Sequence, residues 1–179
     1  LPRKFKIAVS AGAEDRAATG FHDIGLRLIR RRDGGTGFRV LVGGGQGRTP
    51  RVARQLDSFV PQHQILSCLE AIMRVYNAAG RRDDIYKARI KILVDAMGIN
   101  AFNDAVNSQW REIKDTAIEL PKAEHDRIAA YFAPPVLDQG LADMADLGEA
   151  RSADPTFDRW VRVNALPHFS ANHVNASIS

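Results

Sequence analysis

Four glycines in five residues, Gly43-Gly44-Gly45-Gln46-Gly47, divide this chain into two kinds of pattern. A run so poor in Cβ atoms does not hold regular structure, so it is a loop. The residues before it alternate as strands do. Phe5–Val9 and Ile24–Arg30 read as two strands and Phe38–Val42 as a third. Asp33-Gly34-Gly35-Thr36-Gly37 is a turn signal, so residues 24–42 are predicted to form an antiparallel hairpin. The residues after the loop are helical. Ile65, Leu66, Leu69, Ile72, Met73 and Tyr76 make one apolar stripe, which Gly80 ends. A second helix is predicted from about Asp84 to Met97 and a third from about Ala101 to Lys114. Three strands followed by three helices is an α+β order.

The pattern changes near residue 115. Pro121, Pro134, Pro135 and Pro155 punctuate an alanine-rich, acidic stretch with one short helix predicted at 122–132. Residues 138–154 read as linker, or as a loosely held helix. Order resumes at Phe157–Val163, and residues 172–179 alternate like a strand with no evident partner in the chain. The expected organisation is an incomplete α+β domain over 1–115, a linker with a short helix over 116–156, and the truncated start of another unit over 157–179. A chain that opens on Leu1, directly before a strand, is expected to be an internal piece of something longer.

No apolar run approaches a membrane span, so a soluble cytoplasmic protein with no membrane partner is expected. The one cysteine, Cys68, cannot form an internal disulfide and sits near the first helical stripe, where it reads as a small buried hydrophobe. The histidines, His22, His63, His125, His168 and His173, show no zincin spacing. His22-Asp23 reads better as a strand-entry hydrogen bond than as a catalytic pair.

Three features carry possible chemistry. In a strand, Lys4 and Lys6 project to the same side, with ammonium groups roughly 6–7 Å apart by strand rise. Like charges so placed repel unless an anion sits between them, and lysines in enclosed sites also exchange protons. An edge strand dressed with lysines against aggregation would look the same. The glycine loop with Arg48 lets backbone N–H groups approach a flat or anionic ligand, but it has neither Walker nor dinucleotide-fold spacing, and a plain turn fits it equally. Arg81, Arg82, Lys87, Arg89 and Lys91 form a basic cluster around the predicted start of the second helix. Arg89 and Lys91, two apart, do not share a helix face. A basic phosphate- or nucleic-acid-binding module without catalysis is the alternative. It calls for aromatic residues interleaved with the basic patches, and aromatics are only 7% of the chain, so no nucleic-acid partner is expected.

Leu1-Pro2-Arg3-Lys4-Phe5-Lys6, His22-Asp23-Ile24-Gly25-Leu26, Phe38–Gly45 and Tyr86-Lys87-Ala88-Arg89-Ile90-Lys91-Ile92-Leu93, in that order, resemble the middle of the siroheme-dependent nitrite/sulfite reductases. The resemblance covers 1–115 and resumes at 157–179. It implies an oxidoreductase in which a 4Fe-4S cluster passes electrons to siroheme, whose iron binds sulfite or nitrite. The electron donor would be ferredoxin or a flavoprotein subunit. Carried over, Lys4 and Lys6 bind the anion and help deliver protons during its six-electron reduction to sulfide or ammonia. Arg3, Gly43, Gly44, Gly45, Arg48, Arg89 and Lys91 are the implied contacts of the carboxylate-rich siroheme. It also implies a partial siroheme-binding α/β domain over 1–115 and the opening of a ferredoxin-like half-domain over 157–179. The family's four cluster cysteines have no counterpart here, since the one cysteine, Cys68, lies in a predicted helix with no second cysteine near it, so this chain is expected to supply no metal ligand and to need the rest of the enzyme for activity.

Overall fold

The computed structural model describes residues 4–116, 118, 120–133, 136, 147–168 and 173–178, which fall into two compact units, Leu1–Tyr131 and Phe132–Ser179. In the first unit, β1 (Ile7–Ser10), β2 (Ile24–Arg30), β3 (Thr36–Val42) and β4 (Arg54–Pro61) form one sheet in the order β1-β2-β3-β4. The hairpin expected over 24–42 is present: β2 and β3 pair antiparallel from Ile24↔Val42 to Arg30↔Thr36. Asp33 shapes its turn by accepting the Gly35 N–H at 2.9 Å. β1 runs parallel to β2, and residues 11–23 make the crossover between them.

The register explains the core. Ile24 faces Val42 and Leu26 faces Val40, so one side of the hairpin is apolar and all four residues are buried. On that side lie α1 (Ile65–Ala79), α2 (Ile90–Met97) and α3 (Ile99–Ile113), contributing Cys68, Ile72, Tyr76, Val94, Phe102 and Val106 to the same cluster. The crossover comes close against the other side. A Cβ on Gly25 would stand 2.4 Å from the Thr19 carbonyl oxygen, so only glycine admits so close an approach. Thr19 is held there by Asp15, which accepts from its N–H and, at 2.7 Å, from its hydroxyl.

The sheet has four strands where the sequence predicted three. β4 was missed because two register shifts interrupt its pairing with β3: Phe38 faces Val60, Val40 faces Asp57 and Leu41 faces Gln55. Each shift places an extra residue on β4, and the period-two alternation is lost. The second helix begins at Ile90 rather than near Asp84. The Asp84 carboxylate accepts the Tyr86 N–H at 2.9 Å and its carbonyl accepts the Lys87 N–H at 3.0 Å, a local turn that competes with helix. The first strand begins at Ile7, two residues later than predicted. α4 (Lys122–Tyr131) lies at the predicted short helix.

In the second unit, α5 (Leu147–Ala153) covers part of the stretch read as linker, while 137–146 lie outside the described residues. α6 (Pro155–Asn164) starts at Asp154, whose carboxylate accepts from the Thr156 and Phe157 N–H groups, with proline in the first turn. β5 (Ala165–Pro167) and β6 (Val174–Ala176) pair antiparallel, so the terminal alternating segment has a partner in the chain after all. The sequence hid it because β5 is only three residues long and ends in proline. No helix among the described residues is long and apolar enough to cross a membrane.

Candidate functional site

The site is built where the lead-in to β1, the end of β3 and the start of α2 meet. Phe5 packs half-buried against the core while Lys4 and Lys6 on either side of it are exposed. The two lysines thus face away from the core although they precede the first strand. Lys6 is fixed by its backbone: its N–H donates to Asp23 Oδ2 at 3.1 Å and its carbonyl accepts the Ile24 N–H at 3.2 Å.

Beyond β3 the glycine run folds back on the crossover. A Cβ on Gly44 would meet the Gly20 and His22 carbonyl oxygens at 2.6 Å, and one on Gly45 would press on Arg89 Nη2 at 3.2 Å and Lys91 Cδ at 3.3 Å. Gly45 and Arg51 exchange two backbone hydrogen bonds, closing residues 46–50 into a loop. Lys91, in the first turn of α2 and only 5% exposed, pins that loop from beneath: its Nζ donates to the Gln46 carbonyl at 3.2 Å and to the Thr49 carbonyl at 2.6 Å. Burial, and next the neighbouring Arg89 guanidinium, hold the Lys91 ammonium below its usual range.

Arg89 does not sit in the helix. It is the N-cap of α2 with extended backbone (φ −139°, ψ 146°), which frees it from the helix-face rule and lets it converge with Lys91 on Gly45. Its guanidinium forms a two-pronged pair with Asp23: Nε to Oδ1 at 3.0 Å, and Nη2 to Oδ1 at 2.9 Å and Oδ2 at 3.1 Å. The Asp23 side chain is fully buried. Asp23 also accepts the Gly43 N–H on its backbone carbonyl at 3.0 Å. His22 is not its partner; His22 Nδ1 donates to the Ala18 carbonyl at 3.0 Å.

Two adjoining grooves result. A smaller one of about 240 Å³ is lined by Lys4, Lys6, His22, Asp23, Gly45 and Arg89, among others. A larger one of about 430 Å³ is lined by Lys4, Arg48, Thr49, Tyr86, Arg89 and Lys91, among others. Of the residues singled out in the sequence, Lys4, Lys6, Gly45, Arg48, Arg89 and Lys91 therefore come together. Gly43 and Gly44 line neither groove and are buried, Gly43 against Val94 and Gly44 against the crossover. Arg3 lies outside the described residues. The rest of the basic cluster is engaged elsewhere: Arg81 with Asp83, Arg82 with Asn77 and the Tyr76 ring, Lys87 with Asp84. The sequence offers Asp23 as a strand-entry hydrogen-bonding residue ahead of a catalytic pair with His22. Its partner Arg89 is 66 positions away, so nothing local in the sequence marks the pair.

Among the described residues, Lys4, Lys6 and Arg48 make no side-chain hydrogen bond or ion pair, and no group of His, Cys, Asp and Glu is placed to hold a metal ion. Cys68 is 1% exposed, and burial, then Asp57, push its thiol up to about 12, far from a ready thiolate. The arrangement is a cationic double groove with a backbone wall, suited to an anion and to a flat ligand bearing carboxylates.

Comparison with known proteins gives the family. Residues 1–114 match the family described as the nitrite and sulphite reductase 4Fe-4S domain. An assimilatory ferredoxin-dependent nitrite reductase of Haloferax mediterranei is 37% identical over 119 residues, 64% of this chain and 20% of that protein. A sulfite reductase [NADPH] hemoprotein beta-component of Chromohalobacter salexigens is 32% identical over 139 residues, 73% of this chain and 24% of that protein. The chain thus spans about a fifth to a quarter of the length of these relatives. The solved structure of the Mycobacterium tuberculosis NirA protein superposes with a TM-score of 0.50 at 25% identity, covering 58% of this chain and 19% of that one. With well over half of its residues matched by the family description, and with a mixed α and β fold shared with that structure, the chain belongs to the nitrite and sulphite reductase family.

Proposed function

We propose that the double groove is this chain's share of the anion and siroheme site of a sulfite or nitrite reductase, active together with the remaining parts of such an enzyme. The observation that carries the reading is that Lys4 and Lys6 line one groove with Gly45 and Arg89. The residues fit a polycarboxylate tetrapyrrole: Arg48 is exposed and without a partner among the described residues, and Arg89 and Lys91 line the larger groove beside it. Gly45 keeps the wall of the smaller groove free of a side chain. When bound, siroheme coupled to a 4Fe-4S cluster supplies the electrons and the iron that takes the oxyanion. Lys4 and Lys6 would hold the anion's oxygens through their ammonium N–H groups and pass protons to them, and positive charge fixed in advance stabilises the bound oxyanion and the negative charge that develops on its oxygens. Arg48 would hold siroheme carboxylates with its whole guanidinium, Arg89 and Lys91 only with the N–H groups that Asp23 and the loop carbonyls leave free, and Arg3, outside the described residues, is assigned to the same carboxylates by the family resemblance alone. Gly43 and Gly44 would serve the same site by letting the loop fold tightly enough to bring Gly45 against Arg89 and Lys91 at the groove wall.

In this reading residues 1–115 are the incomplete siroheme-binding domain, 116–156 a linker and 157–179 the opening of a ferredoxin-like half-domain, in a cytoplasmic protein. The donor is ferredoxin or a flavoprotein subunit; the names of the relatives include both ferredoxin and NADPH. Lys4→Met and Lys6→Met in the cofactor-loaded enzyme test the assignment. Each is expected to lower turnover of sulfite and nitrite by about a hundredfold or more while the siroheme absorption bands persist. Unchanged turnover in both variants would defeat it.

A further inference from the structure

We infer that Asp23 is a positioning residue that holds Lys6, and through it Lys4, at the anion groove; the inference rests on the anion-site reading above. A fully buried carboxylate in a cationic cleft calls for an explanation, because negative charge near an anion site ordinarily weakens it. Asp23 ties three segments together. Its Oδ2 accepts the Lys6 N–H at 3.1 Å, its two oxygens grip Arg89 at 2.9–3.1 Å, and its carbonyl accepts the Gly43 N–H at 3.0 Å. The lysines lie outside β1, so the regular ladder does not place them; the Asp23 carboxylate and the Lys6 carbonyl bond to Ile24 place Lys6, and Lys4 is tied to it through Phe5, which packs on the core. Arg89 cancels the Asp23 charge, so the anchor stands beneath the groove at little electrostatic cost to an anion.

Charge and position predict opposite outcomes for Asp23→Asn. The substitution leaves Arg89 in excess, so if charge alone mattered the groove would bind an anion more tightly. If Asp23 acts by position, the one oxygen that the amide keeps goes to the charged Arg89 donor, the Lys6 N–H is left against the amide NH2, and binding weakens. In the full 179-residue chain, sulfite is titrated while the Lys4, Lys6 and Gly45 amide resonances are followed, and exchange of the Lys6 amide with solvent is measured separately. The expected result for Asp23→Asn is roughly tenfold weaker sulfite binding together with faster Lys6 exchange. Equal or tighter binding, or an unchanged Lys6 exchange rate, overturns the inference. Where Asp23→Asn does not fold, Asp23→Leu/Arg89→Gln, which leaves no acceptor at this position, is compared with Arg89→Gln alone. Faster Lys6 exchange in the double variant supports the anchor, and equal rates reject it. Where the wild-type chain without siroheme does not hold sulfite, the Lys6 exchange measurement alone decides the role of Asp23, and the proposed function stands or falls on the turnover of the Lys4→Met and Lys6→Met enzymes.

Discussion

The floor and the rim of the cleft carry charges of the same sign and different kinds. On the floor, Arg89 is 16% exposed and clasped by Asp23, and Lys91 is buried under two loop carbonyls. On the rim, Lys4, Lys6 and Arg48 are exposed and have no partner among the described residues. Folding has satisfied the floor. It has left the rim with unanswered charge. The floor cations are part of what makes the loop a loop, and the rim cations are free to meet a ligand. Lining the same groove therefore does not make Arg89 and Arg48 equivalent, although the sequence presents both simply as arginines near glycines.

Breaking the floor should cost the most stability. Arg89→Met strands a buried carboxylate, and losing one partner of a buried pair typically costs about 3–5 kcal/mol. Urea unfolding of the variant should show that loss, and a loss below about 1 kcal/mol would mean that the pair is not buried as described. Lys91→Met is the next largest. It removes two hydrogen bonds from a charged donor but also the desolvation of an ammonium, and Gln46 and Thr49 are exposed enough for water to replace part of what is lost. A cost of about 1–2 kcal/mol is expected, with faster amide exchange confined to residues 46–50.

The same lysine gives a pH signature that separates floor from rim. Burial and Arg89 depress the Lys91 pKa below 10.5, so the folded chain gives up this proton before the unfolded chain does. In the interval just below 10.5 the unfolded state binds more protons, and stability rises with pH. That increment is present above 10.5 and is lost as pH falls through the depressed value. Measured at about pH 8 and about pH 10, the stability of wild type relative to Lys91→Met should therefore increase toward the alkaline end. A flat difference would indicate that Lys91 is solvated.

Arg89 and Lys91 stand out in the sequence as cations, but how the floor is held together does not. The β2–β3 hairpin was legible because its alternation and its Asp33-Gly34-Gly35 turn are local, and α1 because its stripe is long and unbroken. β4 was not, because its two extra residues destroy the alternation that would announce it. The start of α2 was misjudged because Asp84 makes a side-chain turn that no periodicity reports, and that turn is what leaves Arg89 extended. Lys4 and Lys6 could be picked out, since two lysines flanking a phenylalanine point one way by simple alternation. Asp23 could not. A buried acid looks like any other acid until its partner, 66 residues on, is brought beside it.

The smallest expected effect on stability sharpens the contrast most. Lys4→Met, Lys6→Met and Arg48→Met each remove an exposed charge with no partner among the described residues, so unfolding free energies should stay within about 0.5 kcal/mol of wild type. The three should nevertheless divide by ligand. Lys6 lines only the smaller groove and Arg48 only the larger, whereas Lys4 lines both. Lys6→Met is therefore expected to weaken binding of a small oxyanion such as sulfite and leave a larger polycarboxylate unaffected. Arg48→Met should do the reverse, and Lys4→Met should weaken both. Calorimetric titration of the three variants with sulfite and with a tetrapyrrole carboxylate reads the pattern directly. If all three lose the two ligands in equal measure, the grooves act as one undivided basic patch and the division of labour between them falls.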